Sequence, residues 1–119
     1  MSDLTRQQVI QILATTDHAR LAGVDLSGLD LRGLNFADAD LIRANLSHAD
    51  LTNAYMRGAR MELANLEGAL LVGANLKEVS FKGANLTDAD LTGAALRDVN
   101  FYGANLQNAR PDQIQGLQK

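Results

Sequence analysis

The sequence predicts an all-β solenoid, a four-sided β-helix of about four and a half coils, and three regularities lead to this fold class. Every fifth residue from Leu21 to Leu106 is apolar, and all eighteen of these positions hold Leu, Phe or Met. Two residues before each of them lies a second apolar column, which contains thirteen Ala, three Val and two Leu. A period of twenty residues overlies the period of five.

The spacing of five residues excludes the common regular structures. A helix repeats every 3.6 residues and a flat strand every two, so either would spread the apolar columns over every face. A short extended piece instead points the small and the large apolar residue inward and the residue between them outward. The next two residues then form a corner. Nine of the ten glycines occupy the second corner position, which suits a turn that needs positive φ.

The period of twenty indicates how many repeats make one coil. The triplet Ala-Asn-Leu recurs at residues 44–46, 64–66, 84–86 and 104–106. Four repeats therefore form one coil, and the eighteen repeats form a prism about 22 Å long. On one side the middle residues form a polar column: Asp25, Asn45, Asn65, Asn85 and Asn105. We expect the stacked amides of this column to bond to each other along the solenoid axis.

A family resemblance rests on the run Ala-Asp-Leu-Ile-Arg-Ala-Asn-Leu-Ser-His-Ala-Asp-Leu at residues 39–51. This run resembles the pentapeptide-repeat family, whose motif is A(D/N)LXX, and the resemblance extends over residues 19–108. It implies a right-handed quadrilateral β-helix, which is a statement about fold because the motif residues build the core and carry no chemistry. The middle position departs from the motif at six places: Arg20, Tyr55, Arg60, Leu70, Ser80 and Ala95.

A helical cap is expected in residues 1–18, because a stack of coils leaves unpaired backbone at its ends. Thr5 and Gln8 have the spacing of a capping box. We expect a helix from about residue 6 to 14, with its apolar side chains over the first coil: Val9, Ile12 and Leu13.

Residues 109–119 form a separate tail or cap in this prediction. Pro111 stands where the next large inward residue belongs, and a proline cannot donate to a ladder, so the coil ends there. The tail beyond it offers only Ile114 and Leu117 as apolar cover. Two alternatives follow. The tail folds back as a small plug on a monomer, or the last coil pairs with a second copy in a homodimer.

Composition and motifs give no support for an enzyme. The formal net charge is −3 and the sequence contains no cysteine, which excludes disulfides, thiolate metal sites and a cysteine nucleophile. His18 and His48 have no second ligand or nucleophile near them in the sequence. We therefore expect no cofactor, no metal and no catalytic residue.

The expected location is the cytoplasm, without membrane contact, because the sequence shows neither an export signal nor a long apolar run. Direct binding of nucleic acid is not expected either. Only four basic residues share a side of the prism, and no stacking array of aromatic residues accompanies them.

One side of the prism is the better candidate for a contact surface. It combines basic residues with exposed apolar and aromatic ones: Arg20, Ile42, Arg43, Arg60, Leu63, Lys82 and Tyr102. Arg and Tyr are enriched at protein interfaces. A second candidate on another side is the pair Leu70 and Val72. The alternative interpretation of both is ordinary surface, since single exposed apolar residues are normal.

The expected function is therefore a non-enzymatic scaffold or interaction module with an unidentified protein partner. The family resemblance also implies an alternative, because some members imitate duplex DNA and protect or inhibit DNA gyrase. Those members are usually longer and display a continuous acidic surface, whereas the acidic residues of this chain are interrupted.

Overall fold

The computed structural model describes residues 3–117. Its elements are helix α1 (Arg6–Thr15), a 3₁₀ helix (Asp112–Gly116) and, between them, single-residue parallel β-bridges. Every bridge joins two residues twenty positions apart, from the pair Arg20 and Asp40 onward, so four repeats make one coil. The molecule measures 37 × 26 × 22 Å. The expectations for the ends of the cap and tail, residues 1–2 and 118–119, lie outside the described residues.

Each side of a coil bonds to its neighbours in the same way. The N–H of Leu21 donates to the carbonyl of Asp40, and the N–H of Asp40 donates to the carbonyl of Ala19, both at 2.8 Å. The corner is closed by the N–H of Val24, which donates to the carbonyl of Leu21 at 3.2 Å. Gly23, the second corner residue, has a φ of 71°. Positive φ at this position is what a type II turn requires.

The second corner residue has positive φ in every repeat, although only half of these residues are glycine. The predicted glycine turns are confirmed, and nine other residues adopt the same conformation: Asp38, Arg43, His48, Asn53, Leu63, Glu78, Asp88, Asp98 and Asn108. Asp, Asn and His tolerate this region of φ, but Arg, Leu and Glu have no preference for it. Residues that do not favour positive φ thus adopt it because the turn is the same in every repeat.

The two inward columns build one continuous core. All of the large inward residues are buried except Leu96, which is partly buried. The rings of Phe81 and Phe101 stack one coil apart, with centroids 5.7 Å from each other. Between residues 3 and 117 no polar or charged residue is buried as a whole. Full burial of one such apolar side chain stabilises the fold by about 1.5–3 kcal/mol. The summed burial of the two inward columns therefore holds neighbouring coils together.

The polar middle residues bond locally and not along the axis. Oδ1 of Asn45 accepts the N–H of Ser47, and Oδ1 of Asn65 accepts the N–H of Glu67, each at 3.0 Å. The other three members of the column do the same: Asp25, Asn85 and Asn105. The expectation of amides bonded along the axis is therefore wrong. The N–H of the first corner residue has no backbone acceptor among the described residues. It donates instead to the side chain of the middle residue two positions earlier, which is the nearest acceptor.

Helix α1 begins at the predicted capping box, with Thr5 as its N-cap and Gln8 in its first turn. The N–H of Gln8 donates to Oγ1 of Thr5 at 3.2 Å, and the N–H of Thr5 donates to Oε1 of Gln8 at 2.9 Å. The helix ends at Thr15, one residue beyond the expected end. Three of its apolar side chains pack against the solenoid core: Val9, which is fully buried, and Ile12 and Leu13, which are partly buried.

The segment around the start of α1 also bonds to the first coil. The N–H of Asp3 donates to the carbonyl of Asp25 at 2.7 Å, and the N–H of Asp25 donates to Oδ2 of Asp3 at 3.0 Å. The Arg6 guanidinium donates to the carbonyls of Asp30 and Arg32 at 2.7 and 3.2 Å. These bonds satisfy backbone groups of the first coil that no preceding coil reaches.

The C-terminal tail folds back on the last coil. Ile114 of the 3₁₀ helix is buried in the core, and Nε2 of Gln115 donates to the carbonyl of Ala109 at 3.0 Å. The cover is partial. Within residues 3–117, the N–H groups of Phe101, Gly103 and Leu106 make no backbone hydrogen bond. Pairing of this edge with a second copy stays a prediction.

Candidate interaction surface

The fold assembles one basic side of the prism, which we call the basic face: Arg20, Ile42, Arg43, Arg60, Leu63, Lys82 and Tyr102. Its residues come together because the β-bridges stack residues twenty positions apart. Arg20, Asp40 and Arg60 are joined in one such column. The corner residues of the same side are joined by backbone bonds, such as the N–H of Leu63 to the carbonyl of Lys82 at 3.0 Å.

A shallow apolar hollow lies at one end of the basic face. Leu63, Lys82 and Tyr102 stand around it, Gly83 and Gly103 form its floor, and Glu62 completes its lining. Leu63 is 51% exposed and Tyr102 is 61% exposed. The hollow exists because two consecutive coils carry glycine at the corner, where a side chain would otherwise fill the space beside Tyr102.

Two features of the hollow are energetically unfavourable in the unbound protein. Leu63 has a φ of 61°, and a left-handed conformation costs a residue with a side chain about 1–2 kcal/mol. Oε1 of Glu62 is buried and has no hydrogen-bond partner in the described part of the chain. Neither feature is needed for the coil, because glycine fits the same turn at other corners and a polar group that is buried alone costs free energy.

Ion pairing distinguishes the basic face from the rest of the surface. Among residues 3–117, its four cations, Arg20, Arg43, Arg60 and Lys82, form no ion pair. On the other sides and on α1 every described arginine is paired with an acid: Arg6 with Asp30, Arg32 with Asp30 and Asp50, Arg57 with Glu78, Arg97 with Asp98 and Arg110 with Asp90. Lys77 is the single described cation outside the basic face that has no ion pair.

The other apolar residues predicted for a contact surface are less exposed than Leu63 and Tyr102. Ile42 is half-buried and its N–H donates to Oδ1 of Asp40 at 3.1 Å. Leu70 is 40% exposed and Val72 is half-buried. This pair lies on another side, and Leu70 is bridged between Asp50 and Asp90. The two candidate surfaces are therefore separate, and the second one contributes little apolar area.

The perturbed carboxylates of the protein have structural causes. The side-chain hydrogen bond from Arg32 holds the pKa of Asp30 well below its usual range. The backbone N–H of Arg32, which also bonds to Asp30, and the positive charge of Arg6 lower this pKa further. The hydroxyl of Thr92 is the main cause of the lowered pKa of Asp90, and the hydroxyl of Ser27 lowers the pKa of Asp25. Each of these acids is held in its charged form by hydrogen bonds from the residue two positions later, so none is poised for proton transfer.

Neither a metal-binding cluster nor a membrane-spanning helix is found among the described residues. Residues 3–117 contain no group of three or more His, Cys, Asp or Glu side chains arranged to hold a metal ion. The imidazole of His48 lies over Gly68 of the next coil, and His18 lines a notch with Arg20 and Asp38. In the same part of the chain no helix has the length and apolar character needed to cross a bilayer.

The sequence interpretation missed the floor and the buried oxygen of the hollow. The twenty-residue period contains the signal for the floor, because Leu63, Gly83 and Gly103 fall in one column. A column in which a large residue is followed by two glycines predicts a depression beside it. No comparable signal exists for Glu62, whose burial depends on how its neighbours pack.

Comparison with solved structures finds similar solenoids. HetL, a pentapeptide repeat protein involved in heterocyst differentiation regulation from Nostoc sp. strain PCC 7120, is 38% identical, with a TM-score of 0.71 over 75% of this chain and 40% of HetL. The chain thus spans less than half of HetL. A pentapeptide repeat protein from the thylakoid lumen of Arabidopsis thaliana is 32% identical, with a TM-score of 0.50 over 79% of this chain and 70% of its own.

A third structure matches almost the whole length of both chains. This pentapeptide repeat protein from Nostoc PCC 7120 has a TM-score of 0.72 over 96% of this chain and 93% of its own, and at 23% identity it shows the fold alone. Among curated protein sequences no match was found. The structural neighbours imply that the four-sided coil is a right-handed quadrilateral β-helix.

The repeats themselves match a family model. The model for pentapeptide repeats matches eight copies, over residues 19–58, 59–98 and 80–110. These matches cover most of the chain and the same residues as the bridged coils. The predicted family is therefore confirmed, and the chain belongs to the pentapeptide-repeat family.

Proposed function

We propose that this protein is a non-enzymatic interaction module that binds a protein partner through the basic face. The observation that carries the proposal is the hollow between Leu63 and Tyr102. Leu63 is a large aliphatic residue that is exposed to solvent and has a left-handed backbone conformation. Its side chain gains nothing from contact with water, and its backbone conformation costs free energy. A contact that buries Leu63 and Tyr102 would offset that cost, and exposed aromatic residues with neighbouring arginines are typical of interface centres.

The rest of the molecule serves as a rigid support in this proposal. Helix α1 closes the N-terminal end of a solenoid of about four and a half coils and keeps its first edge from pairing with other chains. The dry core and the repeated backbone bonds fix the spacing of the outward side chains. A partner therefore meets a preformed surface and orders little of this protein on binding.

Site-specific photocrosslinking tests the proposal. A photoreactive phenylalanine analogue replaces Tyr102 in one variant and Tyr55 in a matched control, because Tyr55 is an exposed aromatic residue on a different side. Both variants are irradiated in a lysate of the organism that carries the protein. We expect one discrete crosslinked protein from position 102 and none from position 55. Equal patterns from both positions, or none from either, would contradict the proposal.

Paired substitutions then locate the contact. We expect Arg43→Glu with Arg60→Glu to abolish the crosslink, because two of the four cations of the basic face are then reversed. Leu70→Ser with Val72→Ser should leave it unchanged. The opposite result would assign the contact to Leu70 and Val72. A crosslink to DNA gyrase would favour the alternative function of a DNA mimic.

A further inference from the structure

We infer that the basic face binds an extended acidic segment of its partner, with one tryptophan or tyrosine of that segment seated in the hollow between Leu63 and Tyr102. The inference rests on the proposed function and adds the chemistry of the partner. Two observations carry it: the unpaired cations and the apolar walls of the hollow.

The unpaired cations set the sign of the partner's charge. Arg20, Arg43, Arg60 and Lys82 have no ion pair within residues 3–117, whereas every described arginine outside the basic face has one. Charge on a surface that lacks internal partners is available to an acidic ligand. The acids on the same side, Asp40 and Glu62, leave a net charge of +4 − 2 = +2.

The spacing of these cations suits an extended chain. Arg20 and Arg60 lie in one column, two coils apart, and Lys82 lies one coil beyond Arg60. Three coils at about 4.8 Å each span about 14 Å, which an extended segment of about five residues covers at about 3.3 Å per residue. Side chains on one face of such a segment then reach successive cations.

The hollow selects the anchor residue. Its walls are the apolar side chain of Leu63, the aliphatic stem of Lys82 and the ring of Tyr102, and its floor is glycine. This surface suits an aromatic ring, which packs against Tyr102 and buries a large area at low entropic cost. A tryptophan or tyrosine suits this shallow hollow because the apolar part of its ring packs against the walls while its polar end stays in water.

A nucleic acid is the other polymer with the required charge, and the basic face suits it less well. Single-stranded nucleic acids bind to rows of aromatic side chains on which successive bases stack, and Tyr102 is the one aromatic residue of the basic face. The acidic segment is therefore the better fit.

Fluorescence anisotropy with a synthetic probe tests the inference on the full chain. The probe is a labelled decapeptide of Asp and Glu with one central tryptophan. We expect saturable binding that weakens at least about tenfold between about 50 and 500 mM NaCl, because the contacts are exposed and screened. Replacing the tryptophan by serine should weaken binding about three- to tenfold, because the hollow then loses its aromatic anchor.

Protein variants separate the basic face from general electrostatics. Arg60→Glu with Lys82→Glu should weaken binding of the probe at least about tenfold. The matched control is Lys77→Glu, which reverses the described unpaired cation outside the basic face and should change binding less than about twofold. Circular dichroism confirms that each variant keeps the native fold, since all of these side chains are outward.

Several results would overturn the inference. They are an absence of saturable binding, equal loss in the Lys77→Glu variant, equal binding of a peptide of Lys and Arg, and tighter binding of a short duplex or single-stranded DNA. Failure of the proposed function is distinguishable. A crosslink from position 102 that maps to a neutral or basic partner segment, and survives high salt, retains the interaction module and rejects the acidic ligand. No crosslink together with no probe binding rejects both.

Discussion

The side chain of Leu63 lies directly over Gly83, the residue at the same corner of the next coil. A Cβ atom built on Gly83 would lie 2.8 Å from Cδ2 of Leu63, closer than real Cβ contacts allow. The glycine therefore serves two purposes. It provides positive φ for the turn, and it leaves the space into which the leucine leans. This contact between two coils shapes the wall and the floor of the hollow together.

We expect Gly83→Ala to destabilise the protein more than Gly23→Ala. Both glycines have nearly the same φ, +69° and +71°, but no atom lies within 4 Å of a Cβ built on Gly23. The Gly23 variant should lose about 1 kcal/mol for the left-handed alanine, and the Gly83 variant should lose more because Leu63 must move. Chemical denaturation measures both. Adding Leu63→Ala to Gly83→Ala should remove the difference, and equal losses in the two glycine variants would contradict the contact.

We expect Leu86→Asp to unfold the solenoid. Leu86 is fully buried in the inward column, and a carboxylate there would be buried without a partner. Far-ultraviolet circular dichroism and thermal melting measure the loss. Leu70→Asp is the matched control, because Leu70 is 40% exposed and should tolerate the charge. A Leu86→Asp protein with the spectrum and melting temperature of the wild type would refute the inward assignment of the column.

We expect Val9→Asp to detach helix α1 from the first coil. Val9 is fully buried in the core, whereas Gln11, on the exposed part of the helix, provides the control variant Gln11→Asp. Hydrogen exchange should become faster at the N–H groups of residues 6–31 in the Val9 variant and stay unchanged in the control. Unchanged exchange in both variants would show that α1 does not protect the first coil.

We expect Asp30 to contribute to stability at neutral pH and to lose that contribution in acid. Because its hydrogen bond with Arg32 lowers the pKa of the folded state below the unfolded value of about 3.9, the contribution is present above about pH 4 and is lost as pH falls towards the folded pKa. Asp30→Asn should therefore reduce the melting temperature at pH 7 and flatten its fall below about pH 4. Asp88→Asn, which removes an acid without an ion pair among the described residues, is the control for the loss of one negative charge.

Much of the fold could be read from the sequence because each repeat solves the same local problem. The inward columns, the glycine corners and the capping box of Thr5 and Gln8 all follow from side-chain size and turn chemistry within a few residues. The basic face was also predictable, since a known coil length assigns every outward residue to a side.

The parts that could not be predicted depend on choices between nearby partners. The side-chain amide of Asn45 had two possible hydrogen bonds, one to the stacked amide of the next coil and one in which its Oδ1 accepts the N–H of Ser47. The backbone geometry of the corner selected the second. The ion pair of Arg57 with Glu78 and the lack of one at Arg60 depend on distances of a few tenths of a nanometre between flexible side chains. Such distances have no signature in the repeat.

The sequence by itself determined the repeat, the family and the side of the prism on which each residue stands, because these depend on periodicity alone. Only the tertiary structure decided that Leu63 takes a strained corner above Gly83. It also decided that, within residues 3–117, Oε1 of Glu62 is buried without a donor and the cations of the basic face have no ion pair. The physical reason is that strain, burial and pairing are set by contacts between neighbouring coils, which lie twenty residues apart in the chain and a few ångströms apart in space.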